Sequence, residues 1–406
     1  HDSEEDCLIC GYGQWSDTKA QTCTKCETGR YISDDKANKE NHDSILDCAI
    51  CGKGKYAAVP GTKLCDSCPA GTFIEDDAAD VHLHNEANDC IVCGSGQYSG
   101  DGSALCTKCG AGLYLSDDGA NAGAHDGIAK CLVCASGKFS SDGAQACDLC
   151  PSGTHLVDDS VDALNHDSIS DCGVCSSGKI SNRGATNCVA CEGGRYITDD
   201  SQTITSHDEV SDCKICLAGQ WSIDGSATCT KCVAGKFLSG HGYNASYHFG
   251  IDKCIICPSG TYALEGSGQC ESCEAGKYLD DDASDASKHV SEGSCKICPK
   301  GKWSDPKTHE CSDCLPGTII ADDGTDVKYH DEIADCDICD AGKYAEGSAN
   351  FECTNCPKGK YLSDHKENRL LHDSSVNDCN MCKSGEYSPS DGSTQCTSCV
   401  AGKYLS

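Results

Sequence analysis

Apolar positions in this chain keep time with cysteine, not with the 3.6-residue or two-residue periods of long helices and strands. The cysteines fall into twenty C-x-x-C pairs, Cys7/Cys10 to Cys396/Cys399, separated alternately by 12–13 and 21–22 residues. In the first pair of each unit the residue before the second cysteine is always apolar: Ile9, Ile50, Val92, Val133, Val174, Ile215, Ile256, Ile297, Ile338 and Met381. In the second pair it is mostly polar, as in CTKC at 23–26 and CTSC at 396–399. Both pairs are followed by x-x-G and usually an aromatic or aliphatic residue, as in GQWS at 13–16 and GKYL at 359–362. Glycine there permits positive φ, and the aromatic favours a short extended segment. Asp-Gly at 101–102, 142–143, 224–225 and 391–392 predicts hairpin tips in the short gap.

One short and one long gap make a unit of 41 residues, with 42 and 43 once each. The predicted fold class is small disulfide-rich tandem repeats: short β-hairpins and long loops stacked into an extended rod, with little helix. Cysteine phase sets the expected boundaries at 1–26 (a truncated first repeat), 27–68, 69–109, 110–150, 151–191, 192–232, 233–273, 274–314, 315–356 and 357–406. The chain opens late in a long gap and stops at GKYLS, so the expectation is a slice of a longer array.

Composition sharpens this picture. The apolar fraction is 38% and falls to about 28% once the 40 cysteines are set aside, too little for a core of ordinary size. Covalent or metal staples must hold such a chain. The net charge of −32 opposes nucleic-acid binding and suits a soluble surface, cations or a basic partner. No apolar run reaches the length of a membrane span.

Three chemistries compete for the cysteines. Redox activity wants one C-x-x-C at a helix start, and helix signals are missing. Four-thiolate zinc has a suitable spacing, but each site would add two negative charges to an acidic chain. Disulfides remain, and with them an extracellular or secretory compartment. The expected pairing crosses the short gap, first to third and second to fourth: Cys7–Cys23 and Cys10–Cys26, Cys48–Cys65 and Cys51–Cys68, Cys90–Cys106 and Cys93–Cys109, Cys131–Cys147 and Cys134–Cys150, Cys172–Cys188 and Cys175–Cys191. Pairing across the long gap is the rival scheme.

The stretch CPSGTYALEGSGQCESC at 257–273 resembles the cysteine-rich repeat of ephrin-receptor-like type, with CPAGTF at 68–73, CPKGKW at 298–303 and CPKGKY at 356–361 similar. Tumour-necrosis-factor-receptor and EGF-like modules are more loosely alike. The resemblance implies extracellular, disulfide-bonded, non-catalytic repeats, often arranged as rods. Many units lack the proline, and the acidic long gap has no counterpart in that family, so only the cysteine framework carries over.

Counting from the last cysteine of the second pair, each full long loop has Asp at +8 and +9, His at +16, and Asp at +17 and +21. The sets are Asp34, Asp35, Asp43 and Asp47 with His42; Asp158, Asp159, Asp167 and Asp171 with His166; Asp199, Asp200, Asp208 and Asp212 with His207; and Asp322, Asp323, Asp331 and Asp335 with His330. The 233–253 loop keeps only His248. Calcium, which takes six to eight oxygens, is the cofactor these carboxylates suggest. The competing reading is structural: Asp caps turns and amides, and His-Asp is a local hydrogen-bonded pair. A histidine-based transition-metal site is a third. The recurring Ile or Val at +19 (Ile45, Ile128, Ile169, Val210, Ile251, Ile333) is expected in the core. The Tyr and Trp positions are expected to be minimal-core residues, with sugar stacking as the alternative. A glycosylation sequon, NAS at 244–246, marks Asn244.

No catalytic constellation stands outside the repeat. The expected function is a structural extracellular protein, part of a cell-surface appendage, filament or matrix that self-associates or contacts other surface proteins. An adhesion or receptor ectodomain binding a protein ligand is the alternative, and a calcium store a third. A ligand site should break the repeat with an exposed apolar patch.

Overall fold

The computed structural model describes residues 3–158, 160–240 and 242–404. Its elements are minimal. Among the described residues nineteen two-stranded sheets recur, each strand two residues long and each registered pair antiparallel. Two kinds alternate. One pairs the segment after a first C-x-x-C with the segment inside the second, as Gln14–Trp15 with Thr24–Lys25. The other spans the long gap, as Arg30–Tyr31 with Ala49–Ile50. Among the described residues, helical structure is limited to 3₁₀ turns of three or four residues. These are the small disulfide-rich tandem repeats the cysteine pattern predicts.

The bridges join the second cysteine of each C-x-x-C to the first cysteine of the next. Cys10–Cys23 crosses a short gap, Cys26–Cys48 a long one, and the alternation continues to Cys382–Cys396. The expected short-gap scheme is therefore corrected. Cys23 pairs with Cys10 and not Cys7, and Cys26 pairs with Cys48 and not Cys10. The same holds for Cys51–Cys65, Cys68–Cys90, Cys93–Cys106, Cys109–Cys131, Cys134–Cys147, Cys150–Cys172, Cys175–Cys188 and Cys191–Cys213. In each hairpin the first bridged cysteine lies four residues before the first strand and the second directly precedes the second strand, as Cys10 and Cys23 do for Gln14–Trp15 and Thr24–Lys25, so each hairpin closes with its own bridge. Crossed bridges would tie both hairpins into one knot. Cys7 and Cys399 are unbridged. In the loop-closure account a 13-residue separation contributes about 3 kcal/mol and a 22-residue one slightly more.

Each long-gap bridge anchors a small core. Cys26, Cys48 and Ile32 pack with half-buried Trp15; Cys68, Cys90 and Ile74 with Tyr56; Cys314, Cys336 and Ile320 with Trp303. These aromatics of the short-gap hairpins pack against the small cores, as expected. The aliphatic at +6 (Ile32, Ile74, Leu115, Leu156), which the cysteine-keyed pattern did not single out, is buried throughout. The +19 residues are not core. Ile128, Ile169, Val210, Ile251 and Ile333 are each more than half exposed and Ile45 is 42% exposed. They open the second 3₁₀ turn of the long loop, as at Ile45–Asp47, where the side chain projects outward.

Glycine fixes how successive repeats approach. Gly54 has φ +68, and a Cβ there would stand 2.1 Å from the carbonyl oxygen of Gly102 in the next short gap. Gly71 has φ +86 and meets the Ala122 carbonyl at 2.0 Å. Any side chain would both strain the turn and push the repeats apart. The Asp-Gly pairs serve this contact and are not two-residue tips. Eight residues separate the strands Gln97–Tyr98 and Thr107–Lys108, and Gly102 N–H donates to the Cys68 carbonyl at 2.8 Å.

By internal contacts the chain divides into two compact units, His1–Val189 with Asp199–Asp212, and Ala190–Thr198 with Cys213–Ser406. Both are built from the same hairpins and bridges. No helix among the described residues is long and apolar enough to cross a membrane.

Candidate functional site

The long loops hold the residues with the most pointed chemistry, and their histidine is the hub. His42, His84, His125, His166, His207, His289, His330 and His372 are buried, most of them completely. In each, ring Nδ1 donates to a carbonyl of the preceding short-gap hairpin: Gln14 for His42, Lys138 for His166 and Lys302 for His330, all at 2.7 Å. The histidine carbonyl accepts the N–H of the small residue two positions on, Ser16, Ser140 or Ser304. Ring Nε2 meets the +8 carboxylate: Asp34 at 3.1 Å, Asp158 at 2.8 Å, Asp199 at 3.1 Å and Asp322 at 3.0 Å. Because Nδ1 faces a carbonyl acceptor, it carries a hydrogen. Such a hub ties a 21-residue loop to the hairpin before it without an apolar core.

The +8 carboxylate also accepts backbone N–H groups in its own turn, from Thr203 at Asp199 and from Gly324, Thr325 and Asp326 at Asp322. Amide donors and the histidine stabilise its charged form. At Asp76 the Asp80 amide, then His84, holds the carboxyl below the usual range. At Asp117 His125 contributes most. At Asp322 burial opposes the shift, but His330, the Asp326 and Thr325 amides and the Thr325 hydroxyl outweigh it and the carboxyl still falls.

The +21 residue is a cap. Asp47 accepts from the N–H of Asp43 and Ser44, Asp171 from Ser168, Asp212 from Asp208 and Glu209, and Asp335 from Asp331 and Glu332. These are the capping boxes of short 3₁₀ turns. Asp35, Asp200 and Asp323 at +9 are exposed, Asp43 at +17 is exposed, and Asp167 is half-buried. Asp159 lies outside the described residues. Among the described residues, acidic ligand atoms converge as a group of three only at Asp208, Glu209 and Asp212, all within 4.8 Å. Burial and neighbouring Asp212 push the Asp208 carboxyl up. Asp331 is raised likewise, by burial and by Asp335. His155 sits beside Cys175 and Cys188, but that sulfur pair is bridged and offers no thiolate.

The 233–253 loop breaks the pattern. His248 is fully buried and keeps its Nδ1 bond to the Gln220 carbonyl at 2.8 Å, but its Nε2 has no partner. Gly240 stands at the +8 position, and a Cβ there would sit 2.3 Å from Nε2. The loop also exposes Tyr243 (92%), Tyr247 (63%) and Phe249 (48%). Exposed aromatics thus occur in the loop that departs most from the repeat.

No protein-family model matches the chain, and no curated protein is significantly similar to it. The fold alone therefore defines the class: a tandem array of disulfide-closed hairpins, of the kind that extracellular structural proteins and ectodomains use. Nineteen bridges require an oxidising compartment such as the secretory lumen or the cell exterior to form and persist.

Proposed function

We propose that the chain is a structural extracellular protein, a stapled spacer in a cell-surface appendage, filament or matrix, with no catalytic role. One observation carries this reading: the described bridges close one hairpin after another, eight buried histidines tie their long loops to the hairpin before, and turn glycines such as Gly54 and Gly71 seat one repeat against the next. Repeat arrays bury surface only between neighbours and so extend by adding units. Calcium stiffening enters the proposal where carboxylates converge without an amide for each oxygen, at Asp208, Glu209 and Asp212. Negative-stain imaging of the purified full chain tests it. Fibres or lateral bundles are expected. Isolated monomers at all concentrations would sink the filament reading.

A second reading, an adhesion or receptor ectodomain, is favoured by one observation, the exposed aromatic cluster of Tyr243, Tyr247 and Phe249 in a loop that departs from the repeat. Capture of a protein ligand that Phe249→Ser abolishes would support it over the first.

A further inference from the structure

The 233–253 loop and the repeat before it depart from the pattern at positions that meet in space. Phe249 replaces the +17 acid, and its ring crosses Gly193, where a Cβ would stand 1.9 Å from the ring. The equivalent of Gly193 in the other repeats is never glycine: it is Ala at 70, 111, 234, 275 and 401, and otherwise Thr28, Ser152, Pro316 or Lys358. The glycine and the phenylalanine are therefore complementary departures. Between them opens a cavity of about 370 Å³, walled by Glu192, Arg195, Asp224, Tyr243, Asn244 and Phe249. That volume sits at the lower end of small-molecule sites.

Asn244 is exposed and caps the 3₁₀ turn Ala245–His248. Its Oδ1 accepts from Ser246 N–H at 3.0 Å and from the Ser246 hydroxyl at 2.8 Å, and Nδ2 has no protein partner among the described residues. The hydroxyl at the third sequon position thus already engages the acceptor amide, and Asn244 is itself part of the cavity wall.

We infer that Asn244 carries an N-linked glycan whose innermost sugar lies in this cavity, over Phe249 and Tyr243. The inference rests on the extracellular reading, since the donor is met in the secretory lumen. In the step, Asn244 Nδ2 forms a bond to the anomeric carbon of an oligosaccharide held on a polyisoprenyl pyrophosphate. The bond from that carbon to the pyrophosphate oxygen breaks, the pyrophosphate leaves with the electron pair, and the amide proton passes to solvent. The occupant suits the walls. The apolar face of a sugar ring covers the aromatics, which otherwise stand exposed in a chain with only five phenylalanines. Its hydroxyls find acceptors at Glu192 and Asp224 and a donor at Arg195. The glycan is the one occupant the chain itself specifies, because its attachment point is in the wall.

The test is secretion of the full chain from a eukaryotic host, alkylation of free thiols, and intact mass before and after enzymatic removal of N-glycans. A glycan mass is expected, absent in Asn244→Gln and Ser246→Ala and kept in Ser246→Thr. Enzymatic release from the native protein should run about fivefold faster in Phe249→Ser and in Tyr243→Ser, the loss of one stacking contact, and at equal rates once all chains are reduced and unfolded. A bridged chain with unmodified Asn244 overturns the inference and leaves the extracellular reading standing. A glycan released at the same native rate from all variants overturns the cavity as its seat. Widespread free thiols defeat the extracellular reading itself.

Discussion

The loops 315–335 and 233–253 run between the same two kinds of cysteine and close with the same bridge, Cys314–Cys336 and Cys232–Cys254. In the first, His330 bonds the Lys302 carbonyl, receives Ser304 N–H and meets Asp322. In the second, His248 bonds the Gln220 carbonyl and receives Ser222 N–H, but Gly240 stands where the acid should be. The ring is fully buried in both. The histidine is thus positioned by the bridge and by its backbone partners, and the carboxylate adds to a placement already made. A loop relieved of the acid can change its outer surface: both loops expose a tyrosine at +15, Tyr247 and Tyr329, but only 233–253 adds exposed Tyr243 and Phe249.

The comparison breaks hardest at the bridge. Replacing both cysteines by serine should cost each loop about 3 kcal/mol of local stability, equally for Cys314/Cys336 and Cys232/Cys254. Native-state hydrogen exchange at Ser304 and Ser222 would read it, and a much smaller cost in one loop would mean that its bridge is not what shapes it. Histidine comes next. His330→Ala removes a buried ring and leaves buried acceptors unmet, on the order of 3 kcal/mol, while His248→Ala should cost less because Nε2 there already lacks a partner. Equal costs would show that the carboxylate contributes nothing.

Acid should separate the loops more gently. The Asp322 carboxyl is held below its ordinary range despite burial, by His330 and turn amides. A carboxyl lowered in the folded state contributes stability that is present above the unfolded value, near pH 4, and is lost as pH falls through the folded one. Exchange protection in 315–335 should therefore decline as pH drops below about 4, with no matching step at His248. A shared acid step would place the effect elsewhere. The smallest effect expected is calcium's: millimolar ion should slow exchange near Asp208 and Asp212 and leave 233–253 unchanged, and identical spectra with and without chelator would remove it from the account.

Much of this was legible in the sequence. Twenty phased C-x-x-C pairs specify hairpins and staples because the chain has no other means of burying surface, and x-x-G marks each turn. The +8, +16 and +21 spacing showed that Asp322, His330 and Asp335 act together, but not that one acid pairs with histidine while the other caps a turn. That division depends on which backbone amides the 3₁₀ turns leave open. Bridge partners such as Cys26 and Cys48 were hidden because sequence separation favours the short gap, whereas hairpin closure favours alternation. The +19 apolar residues misled for a related reason: three-residue 3₁₀ turns expose a side chain that a longer helix would bury. Gly193 gave a sequence signal, as a glycine where every other repeat has a side chain, but only contact with Phe249 gives it meaning.

The central claim, that each hairpin closes on its own bridge and hands the chain to the next, is tested most directly by peptide mapping of the unreduced protein. Proteolysis at low pH, which prevents exchange, should yield linked peptides joining Cys10 to Cys23, Cys26 to Cys48 and onward in alternation to Cys382–Cys396, with Cys7 and Cys399 free to react. Peptides joining Cys7 to Cys23 and Cys10 to Cys26 would contradict it.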